Sequence, residues 1–70
     1  MKYSIGDLII WKSLEEVSTI VDYWKDYENK IYYEIEIYNQ QLNIYRREHI
    51  GEERIRILLQ YGSIEYYPIR

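Results

Sequence analysis

The stretch from residue 31 to residue 48 constrains the fold more than any other part of this sequence. In its first half, apolar side chains alternate strictly with polar or amphipathic ones. A period of two is typical of a β-strand that buries one face and exposes the other. The pattern therefore predicts a strand whose inward side chains are Ile31, Tyr33, Ile35 and Ile37, with Tyr32, Glu34, Glu36 and Tyr38 outward.

The alternation resumes after three polar residues, with Leu42 and Ile44 as the inward residues of a second strand. Two such strands joined by a short polar segment predict an antiparallel hairpin. A two-residue loop formed by the two glutamines places Ile37 opposite Ile44 and Glu34 beside Arg47. A loop one residue earlier keeps the same side chains inward, because it also preserves the face of each residue. The pattern thus predicts the hairpin and leaves its register open.

The length of the chain bounds the rest of the fold. Seventy residues suffice for one domain, spanning 1–70. There is no cysteine, so neither a disulfide nor a thiolate metal site can stabilise it. The apolar content comes mainly from 13 isoleucines and ten tyrosines. Because tyrosine buries a large ring and keeps its hydroxyl in water, we expect a small isoleucine core with tyrosines around its rim.

Composition and charge also bear on source and partners. Phenylalanine and alanine are absent while Ile, Tyr, Glu, Lys and Asn abound, a bias of AT-rich codons that indicates a low-GC bacterium or one of its phages. The net charge of −3 argues against a general polyanion binder, which would be basic. No apolar run approaches the roughly 20 residues of a membrane span, and the start lacks a secretory signal. We therefore expect a cytoplasmic protein, in the host cytoplasm if phage-encoded, with no membrane partner.

Two strands are predicted before the hairpin. Leu8–Trp11 follows the turn pair Gly6-Asp7 as a short strand. The segment Val17–Trp24 has two interpretations. A capping box formed just before it by Ser13 and Glu16 fits a helix, whereas its four β-branched residues favour a strand. We adopt the strand, in which Val17 and Ile20 both face inward only if a bulge lies near Thr19.

The hairpin is followed by a segment that is either helix or strand. His49-Ile50 is predicted to form a short turn that places Ile50 in the core. Across residues 51–62, alternating Arg and Ile permit a strand. The stripe of Ile55, Leu58 and Leu59, together with Gly62 as a C′ residue, favours a helix, which we adopt.

Residues 63–67 are predicted to form the last strand, which ends at Pro68. Proline suits the end of an edge strand because it has no backbone N–H. An exposed edge bearing Tyr66 or Tyr67 offers a surface for self-association. We therefore expect a homodimer formed through this tail.

The motifs Tyr3-x-Ile5-Gly6-Asp7-Leu8-Ile9, Val17-x-x-Ile20 and Glu48-His49-Ile50, with the hairpin from Tyr33 to Tyr45, span about residues 3–50. In this order they resemble a small SH3-like barrel of the Tudor or KOW type, of the kind found in phage accessory proteins. The resemblance implies a mainly β domain with one short helix (α+β), built on a small antiparallel barrel of about five strands. The helix and the Tyr66-Tyr67-Pro68 tail depart from a minimal barrel, and no functional motif of the family is matched.

The sequence predicts no enzymatic activity and no metal or cofactor. His49 is the only histidine, and none of the serines lies in a nucleophile motif. The three glycines are too far apart for a phosphate-binding loop. Glu15-Glu16 and Glu52-Glu53 are interpreted as solvated charge rather than as metal ligands.

Surface tyrosine is the remaining signal. Tyr and Arg are enriched at the hot spots of protein interfaces, and ten tyrosines cannot all be buried in a chain of this size. The outward residues of the hairpin therefore form the candidate protein-binding site: Tyr32, Glu34, Glu36, Tyr38, Tyr45 and Arg47.

Two functions are compatible with this surface. The first is a protein-binding module, specifically a phage-encoded inhibitor of a host factor such as a defence nuclease, which acts by steric occlusion or by DNA mimicry through Glu34 and Glu36. The alternative is a small barrel that binds single-stranded nucleic acid through Arg46, Arg47, Tyr32, Tyr38 and Tyr45. The basic patch that the alternative needs would combine Arg46 and Arg47 with Arg54 and Arg56. Ion pairing with Glu34, Glu36, Glu52 and Glu53 would nearly cancel it.

Overall fold

The computed structural model describes residues 2–69, which form a five-stranded antiparallel sheet with one helix. The elements are β1 (Leu8–Trp11), β2 (Glu16–Lys25), β3 (Ile31–Asn39), β4 (Ile44–Gly51), α1 (Glu52–Gln60) and β5 (Ile64–Tyr67). The strand order is β4-β3-β2-β1-β5, so α1 carries the chain from one edge of the sheet to the other. The predicted α+β class, mainly β with one short helix, is confirmed. No helix within residues 2–69 is long and apolar enough to span a membrane.

The core lies between one face of the sheet and α1. Tyr33, Ile35 and Ile37 of β3 are buried on this face, as the alternation predicts. Ile55 of α1 is buried against them, and the predicted stripe of the helix is confirmed. The rest of the core cluster is Tyr3, Ile9, Ile20, Ile50 and Ile64, with Trp11, Ile31, Leu58, Leu59 and Tyr66 packed around it.

Residues 16–25 form a strand, but its faces differ from the prediction. The residues on the core side are Glu16, Ser18 and Ile20, whereas Val17 pairs with Tyr38 on the opposite side. The bulge lies between Ile20 and Asp22 and not near Thr19. A polar Ser18 is tolerated in the core because its hydroxyl donates to the Ile9 carbonyl (3.0 Å) and accepts from the Trp11 indole N–H (2.9 Å). Val17 was therefore assigned to the wrong face.

The hairpin is present, but its register, which the sequence left open, is neither that of the Gln40-Gln41 loop nor that of a loop one residue earlier. Four residues, 40–43, connect the strands, and β3 pairs with β4 so that Tyr38 lies opposite Tyr45 and Ile37 opposite Arg46. The Asn39 side chain accepts a hydrogen bond from the Leu42 backbone N–H (2.9 Å), and Asn43 adopts a positive φ of 54°. Asparagine tolerates both roles, whereas a tight Gln-Gln turn would force positive φ on glutamine.

The register differs from the predicted one by two residues, which preserves the face of every side chain. In the observed register, Leu42 and Ile44 lie beyond the end of the core, so the predicted core loses both residues. Leu42 is 66% exposed and Ile44 is 48% exposed, so neither is an inward core residue.

The predicted turn at His49-Ile50 is absent, since both residues belong to β4. Ile50 is nevertheless buried, as predicted. The helix begins directly after Gly51 and ends as predicted at Gly62, which has a φ of 75°. The N–H of Gly62 donates to Leu59 O (3.1 Å) and that of Ser63 to Leu58 O (2.9 Å), which is a Schellman motif.

The two ends of the described chain meet at the buried carboxylate of Asp7. It accepts hydrogen bonds from the Ser4 backbone N–H (2.8 Å), the Ile69 backbone N–H (3.1 Å) and the Tyr66 hydroxyl. Burial, followed by this hydrogen bond to Asp7, raises the pKa of Tyr66 to about 12. Asp7 therefore ties the segment before β1 to the segment around β5.

Candidate functional site

All six predicted binding residues lie on one side of the hairpin, the side opposite the core. Their position follows from the alternation of β3 and from direct pairing, since residues opposite each other in an antiparallel pair point the same way. Two residues that the sequence did not assign to this site, Trp24 and His49, lie there as well. We define the outer face by these eight residues: Trp24, Tyr32, Glu34, Glu36, Tyr38, Tyr45, Arg47 and His49.

One end of the outer face is a tyrosine pair. The ring centroids of Tyr38 and Tyr45 are 4.8 Å apart, with an angle of 37° between the ring planes. The Tyr38 hydroxyl donates to Asn43 Oδ1 (2.9 Å), which anchors that ring to the hairpin loop. Tyr45 is 67% exposed because β4 is an edge strand with no neighbour on its other side. This end therefore presents a large aromatic surface that is already held in place.

The other end is an aromatic cluster. Trp24 stacks on Tyr32 with ring centroids 6.0 Å apart and meets His49 edge to face at 4.8 Å. Trp24 lies on this face only because the bulge after Ile20 shifts the alternation of β2. The spacing of apolar residues in the sequence does not reveal the position of this bulge. His49 could have been found by continuing the alternation of Tyr45 and Arg47.

A charged row separates the two aromatic ends. One Nη atom of Arg47 lies 3.3 Å from Glu34 Oε2, and the other lies 3.6 Å from Glu36 Oε2. The predicted neighbourhood of Glu34 and Arg47 is confirmed, although the residue directly opposite Arg47 is Glu36. Such exposed pairs contribute little to stability. They do place a guanidinium between two carboxylates, so the row is only mildly acidic.

The arginines of the predicted basic patch are not brought together. Arg46 lies on the side of β4 opposite Arg47 and binds Glu16. Arg56 belongs to α1 and pairs with Glu53 at 2.7 Å. Only Arg47 remains on the outer face with the tyrosines.

A cleft of about 760 Å³ lies next to the aromatic cluster, between the start of β3 and α1. Tyr32 forms part of its wall, together with Lys30 and Arg54. Glu52 and Glu53 also line it, so cations and anions are mixed. This mixture gives the cleft no single ligand chemistry.

On the core side, the exposed Arg46 forms an ion pair with the buried Glu16 and so ties β4 to β2. Glu16 is 5% exposed, and its carboxylate accepts hydrogen bonds from both Nη atoms of Arg46 (2.8 and 3.1 Å) and from Asn39 Nδ2 (3.0 Å). The interpretation of Glu16 as solvated charge is therefore wrong. Hydrogen bonds from Arg46, then from Asn39, hold the pKa of Glu16 below its ordinary value of 4.5.

Acidification is expected to remove the contribution of the Glu16–Arg46 ion pair to the free energy of unfolding. Because the pKa of Glu16 is lowered in the folded state, the contribution is complete above pH 4.5 and is lost as the pH falls through the lowered value. The measurement is urea unfolding of the wild type and of Glu16→Gln from neutral pH to about pH 3. The wild type should lose more stability than Glu16→Gln, while Glu15→Gln, at an exposed neighbour, should follow the wild type. Parallel curves for wild type and Glu16→Gln would contradict this account.

The outer face presents aromatic and charged side chains. Among residues 2–69, no three His, Asp or Glu side chains converge in a way that would hold a metal ion. No protein-family model matches the chain, and neither a curated protein nor a solved structure shows significant similarity to it.

Proposed function

We propose that this protein is a protein-binding module and that the outer face is its interface. The observation that carries the proposal is the arrangement of two exposed aromatic groups at the ends of one face. Tyr38 with Tyr45 forms one end and Trp24 with Tyr32 forms the other, with the Arg47 row between them.

The aromatic ends have the properties of interface anchors. Tyrosine and tryptophan supply large contact areas at a low cost in conformational entropy, and they dominate the binding energy of many interfaces. Contacts within the face already restrict these rings, such as the hydrogen bond of Tyr38 to Asn43. Restriction before binding reduces the entropy lost on association.

The charged row favours steric occlusion over DNA mimicry as the mode of action. A DNA mimic needs carboxylates that are not compensated, so that they reproduce the charge of successive phosphates. Here Arg47 contacts both Glu34 and Glu36. A partner would instead meet a polar row suited to fixing orientation, flanked by the aromatic anchors that supply affinity.

Binding of single-stranded nucleic acid is the less favoured function. It would require several arginines beside the tyrosines, because phosphate contacts supply most of the affinity. Arg46 is instead bound to Glu16 on the other side of the sheet.

A module of the SH3-like barrel type remains our proposal for the finer fold, supported by the meander of β1 to β4 and the return of β5 to β1.

Truncation of a tyrosine anchor is expected to weaken binding strongly. Tyr45→Ala should cost at least about 2 kcal/mol in affinity, or roughly thirtyfold in Kd. Tyr38→Ala should have a similar effect, since the two rings are in contact. The matched control is Tyr27→Ala, because Tyr27 is 96% exposed and lies in the β2–β3 connection, at the opposite end of β3 from Tyr38.

The experiment captures partners from native host cells on the immobilised wild-type chain and then measures binding kinetics for each variant. A partner that binds Tyr27→Ala like the wild type, but loses affinity for Tyr45→Ala, supports the proposal. Equal binding by all variants places the interface elsewhere. A mobility shift with single-stranded DNA that weakens steeply with salt would favour the nucleic-acid function instead.

A further inference from the structure

The β4 strand is the longer free edge of the sheet. It comprises eight residues, whereas β5 at the opposite edge comprises four and is followed by Pro68. Residues 44–49 of β4 are exposed on both sides of the sheet, since α1 covers only the end that contains Ile50. An edge strand exposes backbone N–H and C=O groups that can pair with another strand.

The side chains on the core side of β4 are complementary to their own reverse order. From one end to the other they are Ile44, Arg46, Glu48 and Ile50. Within one copy, Arg46 contacts Glu48 of the same strand (2.8 Å) as well as Glu16. If a second copy of β4 runs antiparallel with Arg47 opposite Arg47, then Arg46 also lies opposite Glu48 of the second copy. By symmetry the same pair forms twice, and Ile44 lies opposite Ile50 twice.

Charge selects this register over its neighbours. A shift by two residues in one direction places Arg46 opposite Arg46, and a shift in the other direction places Glu48 opposite Glu48. Like charges directly opposite each other destabilise a strand pair, whereas opposite charges stabilise it. Shifts by one residue are excluded because they invert the faces of the sheet. Charged residues on an edge strand normally prevent pairing, but here they favour this register over the two adjacent ones that keep the faces of the sheet.

The central Arg47 pair on the outer face is compensated within each copy. Glu34 and Glu36 lie 3.3 Å and 3.6 Å from the Arg47 guanidinium. Each arginine therefore brings its own counter-charge to the two-fold axis. On either side of it, Tyr45 lies opposite His49 of the second copy.

A cleft on the core side has room for the partner's isoleucine. It has a volume of about 460 Å³, lies beside Ile50, and is also lined by Trp11 and Leu58. In the register described, Ile44 of the second copy lies opposite Ile50, at this cleft. Ile44 is 48% exposed in the single chain, so pairing would cover apolar surface.

We propose that two copies of this chain pair through β4, antiparallel and about a two-fold axis at Arg47. The result is one continuous sheet in which the outer faces of both copies lie side by side. The proposal goes beyond the function proposed above and does not depend on it, since a dimer forms whether or not the outer face binds another protein.

Charge reversal on β4, compared with charge reversal on β5, tests which edge of the sheet forms the dimer interface. Glu48→Lys places a cation opposite Arg46 of the second copy twice, and should raise the dimer dissociation constant at least about tenfold. The matched control is Glu65→Lys on β5, which should leave the constant unchanged. Both positions are exposed, and circular dichroism verifies that each variant folds. The measurement is sedimentation equilibrium of the full chain across the micromolar range.

A cross-link tests the register. The chain has no cysteine, so Arg47→Cys introduces a single thiol. Directly opposed residues have Cα atoms about 4.5–5.5 Å apart, which suits a disulfide. Mild oxidation of Arg47→Cys should therefore yield a covalent dimer. Tyr45→Cys should not, because its two thiols would be about 13 Å apart along the strand.

Three results would overturn the proposal. The first is a wild-type chain that stays monomeric across the concentration range. The second is a dimer that Glu65→Lys disrupts and Glu48→Lys does not, which would assign the interface to the tail strand. The third is cross-linking of Tyr45→Cys but not of Arg47→Cys, which would exclude the two-fold axis at Arg47.

Discussion

Replacement of Ile35 by alanine is expected to lower the free energy of unfolding by about 2–5 kcal/mol. Ile35 is 1% exposed and lies on β3, an interior strand of the sheet, directly paired with Ile20 of β2. Its side chain faces the core that α1 covers. Removal of three carbons from this site loses buried apolar surface and leaves a cavity that the neighbouring strands cannot fill.

The loss is large relative to the total stability. A domain of this length is stable by roughly 4–10 kcal/mol. Ile35→Val, which should cost about 0.5–1.5 kcal/mol, keeps the measurement within range if the alanine variant is largely unfolded. The measurement is urea denaturation followed by circular dichroism. The control is Leu42→Ala, at a residue that is 66% exposed, which should change stability by less than about 0.5 kcal/mol. If Ile35→Ala were as mild as Leu42→Ala, Ile35 would not be a core residue.

Local patterns were sufficient to predict most of the elements. The face of β3 follows from a period of two, and the helix end at Gly62 follows from the need for a positive φ. Both signals arise within a few residues of each other. The chain therefore carries its element order, and the candidate outer face of the hairpin, in its local sequence.

The register of the hairpin could not be predicted from the same pattern. Loops of two and four residues place identical side chains inward, so hydrophobic alternation does not distinguish them. The four-residue loop is stabilised by the Asn39 side chain and by the left-handed conformation of Asn43. These are specific hydrogen-bonding and backbone preferences, and they moved Leu42 and Ile44 out of the core.

Residues that depend on distant partners were also missed. Glu16 is buried because Arg46, 30 residues away, neutralises its carboxylate. Trp24 joins the outer face because a bulge inserts one extra residue, Val21, into β2 and so shifts its alternation. Neither a long-range ion pair nor the position of a bulge has a signature within a short window of sequence.

Replacement of Asp7 by alanine is expected to lower the free energy of unfolding by at least about 3 kcal/mol. The buried carboxylate accepts hydrogen bonds from two backbone N–H groups, those of Ser4 and Ile69, and from the Tyr66 hydroxyl. Each hydrogen bond to a charged group contributes about 1.5–3 kcal/mol. Alanine removes both acceptor oxygens, and with them all three hydrogen bonds, and leaves partly buried donors without an acceptor, so the segments before β1 and around β5 should separate.

Variants that remove one hydrogen bond or all of them distinguish hydrogen bonding by Asp7 from simple packing. Tyr66→Phe removes one hydrogen bond and keeps the ring that packs edge to face on Tyr3 at 4.9 Å, so its cost should be well below that of Asp7→Ala. Asp22→Ala is the matched control, because Asp22 is exposed and its carboxylate accepts only from the neighbouring Tyr23 N–H. Urea denaturation measures all three, and hydrogen exchange of the Ile69 and Ser4 amides reports the local loss directly. Exchange of both amides should be only slightly faster in Tyr66→Phe than in the wild type. In Asp7→Ala it should be much faster. If Asp7→Ala cost no more than Asp22→Ala, the carboxylate would not be what joins the two ends of the chain.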